Sequence, residues 1–289
     1  MKNLIEARGL VKRYGDFALD RVDLEVPAGY VVGLVGSNGA GKTTIIKSLL
    51  GLIRPEAGEV RMLGLPLPDG SWRQRVGVVF DSCSFPNDAR IEDIVRIGRA
   101  AYPRWDEARF WEVAHTSGIA KGKIVKDLSR GMGMKLSLAF ALAHDPQLLI
   151  LDEPTAGLDP LARGEVLDQL LDFMADGTRG ILMATHITTD LERIADWIVC
   201  VDGGHVVFTQ AKDDICSRAG IARCRAGEYD ALAASGLVPV GEMRCIARTY
   251  GMDVLVPDRF ALERAGLGIV CEPASIDAYL ELVMKGETR

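Results

Sequence analysis

The chain has 289 residues, of which 48% are hydrophobic and 26% are charged, a composition typical of a globular protein of about two domains. The net charge of −6 argues against a protein that coats nucleic acid, although it does not exclude a local basic patch. Residues 1–8 lack the apolar region of a secretory signal, and no run approaches the roughly 18 apolar residues of a membrane helix. We therefore expect neither a secreted nor a membrane-spanning chain.

The first part of the chain alternates between short strand-like runs and turns. Residues 4–32 follow the pattern of a small antiparallel sheet with a turn at 14–16. Strands are predicted at 4–7, 18–26, 31–35, 58–63 and 75–80. The continuous valine and phenylalanine content of the last strand predicts that it is buried.

A glycine-rich segment separates the strand at 31–35 from a predicted helix at 44–50. Residues 36–43 read Gly36-Ser37-Asn38-Gly39-Ala40-Gly41-Lys42-Thr43 and fit the pattern G-x-x-x-x-G-K-[ST], and Thr44, the first residue of the predicted helix, belongs to the same candidate site. Strand, loop and helix start together offer backbone N–H groups at a positive helix end, and Gly36, Gly39 and Gly41 are expected to take positive φ. Lys42 would reach the β- and γ-phosphates, and the Thr43 hydroxyl would help to hold Mg²⁺. The segment therefore predicts binding of a nucleoside triphosphate.

A helical region interrupts the strands from about residue 86 to residue 144, with helices predicted at 91–97, 106–117 and 131–143. The apolar runs 148–151 and 181–184 then predict buried parallel strands. A helix at 160–175 joins these two strands, as a βαβ unit requires. The pattern is that of an α/β core with an all-α insertion.

The end of the chain is organised on a smaller scale. A last pair of strands at 197–201 and 205–208 closes the core. Past about residue 212 the pattern predicts a small α+β region that carries no recognisable chemical motif. Its predicted elements are strands near 221–225, 243–248 and 254–256 and helices near 229–234 and 275–284.

The buried strand at 148–151 ends in two adjacent carboxylates. Asp152, at the end of the strand, is placed to hold Mg²⁺ beside the bound phosphates. Glu153 points to the other side, where it can polarise a water molecule for attack on the γ-phosphate. An acidic pair that caps a helix is the alternative. Because an apolar run precedes the pair and Pro154 follows it, downstream of a phosphate loop, we favour the metal ligand and the catalytic base.

Seven segments in this order resemble the ATP-binding subunit of an ABC transporter over residues 4–212. They are Tyr14, the Walker A loop 36–43, Asp81 at the Gln-loop position, the signature-like Leu128-Ser129-Arg130-Gly131-Met132, Walker B at 148–153, the D-loop Gly157-Leu158-Asp159, and His186 as switch histidine. The finer pattern at 80–81, 102–105 and 128–132 is similar to ABC-2 type exporters, in the subgroup tied to antimicrobial or antibiotic export.

The resemblance implies a fold and a division into domains. The expected fold is α/β, a RecA-like P-loop NTPase core with an N-terminal antiparallel β subdomain, an inserted α-helical subdomain at about 84–145 and a small C-terminal α+β domain. The ATPase domain would occupy residues 1–212, and an accessory domain would occupy 213–289.

The resemblance also implies roles for residues outside the loop. Two copies, identical or different, would pair head to tail with each ATP between the loop of one and the signature of the other. Ser129 and Gly131 would meet the partner's γ-phosphate, and Asp159 would orient the partner's site. His186 would contact the γ-phosphate or the attacking water. Tyr14 would stack on adenine, with a half-buried turn tyrosine as an equal alternative.

Export would require a separate integral membrane permease. The subunit would then lie in the cytoplasm on the inner face of the cell membrane, with Mg-ATP as its cofactor and substrate and no nucleic acid bound. Tyr102 and Trp105 in the helical region would line a groove for a helix of that permease, or would pack the region's own core.

Two departures from the family pattern leave alternatives open. Asp81 stands where most members carry Gln, so it is either a metal ligand or water sensor, or it has lost contact with the nucleotide. Arg130-Gly131-Met132 replaces the usual Gly-Gly-Gln, and Arg130 would either add a charge to the phosphate contact or face solvent. Both changes are compatible with a heterodimer that has one weaker site.

Two further functions remain as alternatives. One is a soluble ABC ATPase that acts on ribosomes or DNA. The single phosphate loop and the only 109 residues that lie between Lys42 and Asp152 argue against the fused or coiled-coil forms of that class. The other is a regulatory ligand or partner bound by the C-terminal region.

Overall fold

The computed structural model describes residues 2–225, 227–239 and 243–288. The strands are β1 (Asn3–Tyr14), β2 (Phe17–Pro27), β3 (Val31–Val35), β4 (Ala57–Met62), β5 (Leu65–Pro66), β6 (Val76–Val79), β7 (Leu148–Asp152), β8 (Gly180–Ala184), β9 (Trp197–Asp202), β10 (His205–Ala211), β11 (Gly220–Cys224), β12 (Arg244–Arg248), β13 (Gly251–Val256), β14 (Val270–Pro273) and β15 (Glu287–Thr288). The helices are α1 (Lys42–Leu49), α2 (Ile91–Ala101), α3 (Glu107–Thr116), α4 (Arg130–Leu142), α5 (Pro160–Met174), α6 (Thr188–Ile194), α7 (Glu228–Ala234), α8 (Arg259–Ala265) and α9 (Ile276–Lys285).

The chain forms two compact units. The first runs up to Ile187 and includes Val199–Phe208; the second combines Thr188–Ile198 with the residues from Thr209 onward. Within the described residues, no helix is both long enough and apolar enough to cross a membrane.

An antiparallel sheet with the strand order β2-β1-β4-β5 lies in the first unit. Tyr14 and Phe17 are cross-strand partners at the turn between β1 and β2. Leu4, Ile5, Ala7 and Leu10 of β1 are buried, and register shifts along the strand interrupt the usual alternation of buried and exposed residues. Leu10 of β1, Ile46 of α1 and Ile150 of β7 belong to the same apolar cluster.

A second sheet, in the order β10-β9-β3-β8-β7-β6, forms the centre of the first unit. β3 and β7 each pair in parallel with β8, and every residue of these three strands is buried. Ala184 lies opposite both Leu34 and Asp152 in the register. The carboxyl ends of the three strands therefore meet at one edge, where α/β folds place their ligands. The predicted α/β class is confirmed.

Three helices, α2, α3 and α4, make up the inserted helical region. The Tyr102 ring stacks on His144 with centroids 4.0 Å apart, and the Trp105 ring lies 5.1 Å from Phe140. A Cβ on Gly98 would lie 2.4 Å from the Trp105 ring, so only glycine leaves room for this indole. Tyr102 and Trp105 thus pack within the helical region itself.

An antiparallel sheet with the order β14-β11-β13-β12-β15 organises the second unit. Its core includes Ala222, Leu232, Val254 and Leu262. Helix α9 packs on β12 and β13, where the Arg248 guanidinium donates to Glu281 at 2.7 Å. This is the expected α+β region, with β14, α8 and the two-residue β15 as elements that the sequence pattern did not predict.

Candidate functional site

The glycine-rich loop joins the end of β3 to the start of α1. Gly39 and Gly41 have φ of +84° and +114°, as expected for residues that turn backbone N–H groups toward one point. The same expectation is wrong for Gly36, whose φ is not positive. A Cβ on Gly36 would lie 2.1 Å from the Val201 carbonyl oxygen, so glycine is required there by the close approach of β9.

The Lys42 ammonium lies inside the curve of this loop. Only 6% of the residue is exposed, and its Nζ donates to the carbonyl oxygens of Gly36 at 2.7 Å and Ser37 at 3.2 Å. Glu153 Oε1 is 3.9 Å from the same nitrogen. A buried ammonium needs acceptors on several sides, and here the loop carbonyls and one carboxylate supply them. The positive charge is therefore held at the centre of the loop.

Thr43 and Asp152 join the start of α1 to the end of β7. The Thr43 hydroxyl donates to Asp152 Oδ2 at 2.8 Å. Asp152 is 2% exposed, and its Oδ1 is buried without a hydrogen-bond partner. Burial raises the pKa of Asp152, the Thr43 hydrogen bond opposes this shift, and the nearby carboxylates of Glu153 and Asp81 add to it. A cation beside Oδ1 would satisfy this atom and offset the cost of burying its charge.

The donor set around Asp152 fits Mg²⁺. Among the residues that the structure describes, no three His, Cys, Asp or Glu side chains are arranged to hold a metal. Mg²⁺ usually keeps several waters and binds through one or two protein oxygens together with substrate phosphates. The Thr43 hydroxyl and Asp152 Oδ1, which lie beside the phosphate loop, match that requirement.

Glu153 and His186 meet although 33 positions separate them. His186 Nδ1 lies 2.8 Å from Glu153 Oε2, which also accepts from the Thr185 hydroxyl at 3.3 Å. The Glu153 backbone has φ +54° and its N–H donates to the Ala184 carbonyl at 2.8 Å. A positive φ is unusual for residues other than glycine, and such strained residues cluster at active sites and ligand-binding sites. The pairing of β7 with β8 thus fixes the direction of the Glu153 carboxylate.

Lys42, Thr43 and Glu153 border one open pocket of about 310 Å³ beside the loop. It is lined by Phe17, Ser37, Asn38, Gly39, Gly41, Lys42, Thr43, Thr44, Asp81 and Glu153. Ala40 is buried and braces the loop through hydrogen bonds of its backbone with Ser37 and Gly204. The side chain of Asp81 therefore lies at the pocket.

The aromatic ring at the pocket belongs to Phe17. Tyr14, the expected aromatic contact, is 43% exposed and its ring lies 5.2 Å from Lys12 Nζ. Phe17 Cζ would be 2.9 Å from a Cβ on Gly41, so Phe17 touches the loop directly. Because the two aromatic residues are cross-strand partners, the predicted turn at 14–16 is the signal from which Phe17 could have been found.

The signature and D-loop residues do not line this pocket. Ser129 caps α4 and accepts from the Met132 N–H at 3.2 Å, while a Cβ on Gly131 would lie 3.3 Å from Leu158 Cδ2. Asp159 caps α5. Its carboxylate accepts hydrogen bonds from the backbone N–H groups of Ala162 and Leu161, and these bonds lower its pKa. Both caps leave their helix starts at the surface of the first unit.

Comparison with known proteins agrees with this geometry. Residues 19–156 match the family described as ABC transporter. The Nod factor export ATP-binding protein I of Cupriavidus pinatubonensis (strain JMP 134 / LMG 1197) is 37% identical over 252 residues, which cover 83% of this chain and 76% of that protein. The daunorubicin/doxorubicin resistance ATP-binding protein DrrA of Streptomyces peucetius is 35% identical over 236 residues, covering 78% of this chain and 71% of that protein.

Solved structures show the same fold. The structure described as the ATP binding subunit of an ABC transporter superposes with a TM-score of 0.66 at 30% identity, covering 73% of this chain and 91% of the other. The cbiO1 protein of Clostridium perfringens, part of the ABC transporter complex cbiONQ, superposes with a TM-score of 0.63 at 23% identity, covering 83% and 96% of the two chains. The chain therefore belongs to the ATP-binding proteins of ABC transporters, a family of ATPases.

Proposed function

We propose that this chain is the ATP-hydrolysing subunit of an exporter, which drives transport through a separate integral membrane protein. The observation that carries the proposal is that Lys42, Thr43 and Glu153 line one pocket, while Asp152 lies directly behind it and accepts a hydrogen bond from Thr43. Each has the chemistry that one part of phosphoryl transfer to water requires. We assign this activity to residues 1–212 and an accessory role to residues 213–289.

The loop and α1 bind the triphosphate of ATP. Backbone N–H groups of the loop and the N-terminus of α1 face the phosphates, and the Lys42 ammonium exchanges its carbonyl partners for phosphate oxygens. Thr43, Asp152 and Asp81 would hold Mg²⁺ beside them. The ion would neutralise charge on the β- and γ-phosphates. Adenine stacks on an aromatic ring of the β1–β2 turn, Phe17 or Tyr14.

Glu153 is the base for the attacking water. Its carboxylate accepts a proton as the water oxygen bonds to the γ-phosphorus and the bond from that phosphorus to the bridging oxygen breaks. The products are ADP and phosphate. His186, in contact with Oε2, orients the carboxylate and would contact the γ-phosphate or the attacking water.

A second copy, identical or different, completes the site. Ser129, Gly131 and Asp159 lie outside the pocket of their own chain, which supports a role toward ATP held by a partner. In that arrangement ATP lies between two subunits, and its hydrolysis releases them. The energy of ATP binding is thereby converted into motion of the subunits.

The functions named for the relatives support export. They are Nod factor export and daunorubicin and doxorubicin resistance, so we place this chain with the ABC-2 type exporters. Export requires a membrane permease, and the ATPase would bind it as a peripheral subunit on the cytoplasmic side. These names favour export over an action on ribosomes or DNA.

Affinity purification of the tagged protein from detergent-solubilised native cells tests this proposal. Mass spectrometry should find a polytopic membrane protein at a fixed stoichiometry to the bait. The Lys42→Ala variant, purified in parallel, shows whether capture depends on the nucleotide. Recovery of ribosomal or DNA-bound proteins without any membrane protein would contradict the export assignment.

A further inference from the structure

Arg130 stands where the family pattern has glycine, and its guanidinium lies against the backbone of Gly157. A Cβ placed on Gly157 would lie 3.1 Å from Nη1, 3.2 Å from Cζ and 3.4 Å from Nε of Arg130. Three atoms of one planar group at nearly equal distances show that the flat face of the guanidinium covers this glycine. Gly157 has φ +73°, so its conformation as well as this contact favours glycine.

Two more contacts join the same two parts of the chain. Leu158 packs toward Gly131, as the 3.3 Å distance from Leu158 Cδ2 to a Cβ on Gly131 indicates. One turn further along α4, the buried Lys135 forms an ion pair with Glu165 of α5. Lys135 also contributes to the lowered pKa of Asp159. The first two turns of α4 are therefore held along the D-loop and the start of α5.

The contact of Arg130 is one of packing rather than of charge. In the ranges that the structure describes, Arg130 has no carboxylate within ion-pair distance, and its guanidinium rests on a backbone that carries no side chain. A planar, weakly hydrated guanidinium suits such a surface better than the compact ammonium of lysine. Lysine should therefore not replace arginine here, although it keeps the charge.

We propose that Arg130 is a positioning residue that fixes the D-loop Gly157–Asp159 against the signature Ser129–Gly131 within one chain. The Ser129 and Asp159 helix caps are then presented to a partner's ATP as one rigid surface. This inference rests on the proposed ATP-sandwich function. Arg130 is an exposed residue, and the proposal adds to that position a contact with Gly157 that neither of the two roles expected from the sequence includes.

A double-mutant cycle on the full-length protein tests the proposal. The variants are Arg130→Gly, Arg130→Lys, Gly157→Ala and the double variant Arg130→Gly with Gly157→Ala, with Lys126→Ala as an exposed cation control. We expect each single variant except the control to lower kcat about tenfold, with the KM for ATP unchanged. Since Gly157→Ala displaces the guanidinium, the double variant should be no slower than the slower of its two parents.

Other results would overturn the proposal in distinct ways. If the losses of kcat in the two single variants multiply in the double variant, or if Arg130→Gly has normal kcat, Arg130 and Gly157 do not act together and the proposal is wrong. A raised KM that Arg130→Lys restores would show that Arg130 contacts phosphate as a charge. If Gly157→Ala does not fold, the kcat and KM of Arg130→Gly and Arg130→Lys still distinguish a positioning role of Arg130 from a contact with phosphate. A wild-type chain without Mg²⁺-dependent ATPase activity would contradict the proposed function itself.

Discussion

The Thr43 hydroxyl donates to Asp152 Oδ2 at 2.8 Å, and this bond leaves Asp152 Oδ1 buried without a partner. The carboxylate is held in a place that suits a cation and is unfavourable without one. Its raised pKa has the same origin, because burial and the neighbouring carboxylates both disfavour the charge.

Asp152→Asn should therefore separate stability from activity. The amide retains an acceptor for Thr43 and removes a buried charge, so we expect the free energy of unfolding without nucleotide to rise by about 1 kcal/mol. Mg²⁺-dependent ATPase activity should fall at least about a hundredfold, since a ligand to the metal is lost. Denaturant unfolding and phosphate release measure the two effects. A destabilised but fully active variant would contradict the assignment of Asp152 as a metal ligand.

Lys42→Ala should weaken ATP binding about 10- to 100-fold, the range expected for lost hydrogen bonds to a charged group. The matched control is Lys47→Ala, which changes a lysine in the last turn of the same helix and away from the pocket. Titration with a fluorescent ATP analogue compares the three proteins. Equal affinity in all of them would show that the Lys42 ammonium does not reach the phosphates.

Asp81→Gln should change the response to Mg²⁺. Asp81 lines the pocket and acts on the pKa of Asp152, so the neutral amide removes a ligand charge and one source of repulsion toward the triphosphate. We expect the Mg²⁺ concentration for half-maximal ATPase activity to rise roughly threefold and the KM for ATP to fall. Asp88→Asn, an exposed change in the same loop, is the control. Superimposable Mg²⁺ curves for wild type and Asp81→Gln would exclude a role at the metal.

His144 should make the fold sensitive to mild acid. Burial lowers its pKa from 6.5 to about 4, and the residue is 1% exposed. The unfolded chain therefore binds more protons than the native one between these values, so stability falls as pH drops from about 6.5 to 4, by up to about 3 kcal/mol. His144→Phe should flatten this dependence, whereas His115→Phe, at an exposed position, should not. Parallel curves of unfolding free energy against pH for all three proteins would show that His144 is not the source of the acid sensitivity.

Much of the site could be predicted because its parts are local in sequence. The phosphate loop and the acidic strand end each carry their geometry within a few residues, and the predicted helix at 160–175 is confirmed as Pro160–Met174. That helix begins where Asp159 caps it and Pro160 takes its first position, a strong local signal.

The parts that were missed depend on contacts between distant residues. The positive φ of Glu153 accompanies its backbone hydrogen bond to Ala184 and its side-chain contact with His186. Neither contact can be recognised from the residues next to Glu153 in the sequence. The need for glycine at Gly36 comes from the close approach of Val201, which lies 165 positions further along the chain and is not signalled by the loop sequence.

In the second unit the missed elements are short. Strand β14 has four residues and ends at Pro273, and α8 has seven residues, so each is too short for a periodic pattern of apolar residues to stand out in the sequence. Strand β14 is defined by its pairing with β11 rather than by its own pattern.

ATP turnover by Glu153→Gln tests the central claim most directly. The amide keeps the shape of the side chain but cannot take a proton from water. Purified wild type and variant are compared for phosphate release with Mg-ATP and for mass by light scattering. We predict release slowed about 10²- to 10⁴-fold, with ATP still bound and the variant held as a dimer. Normal phosphate release by Glu153→Gln would show that the base lies elsewhere and would contradict the mechanism.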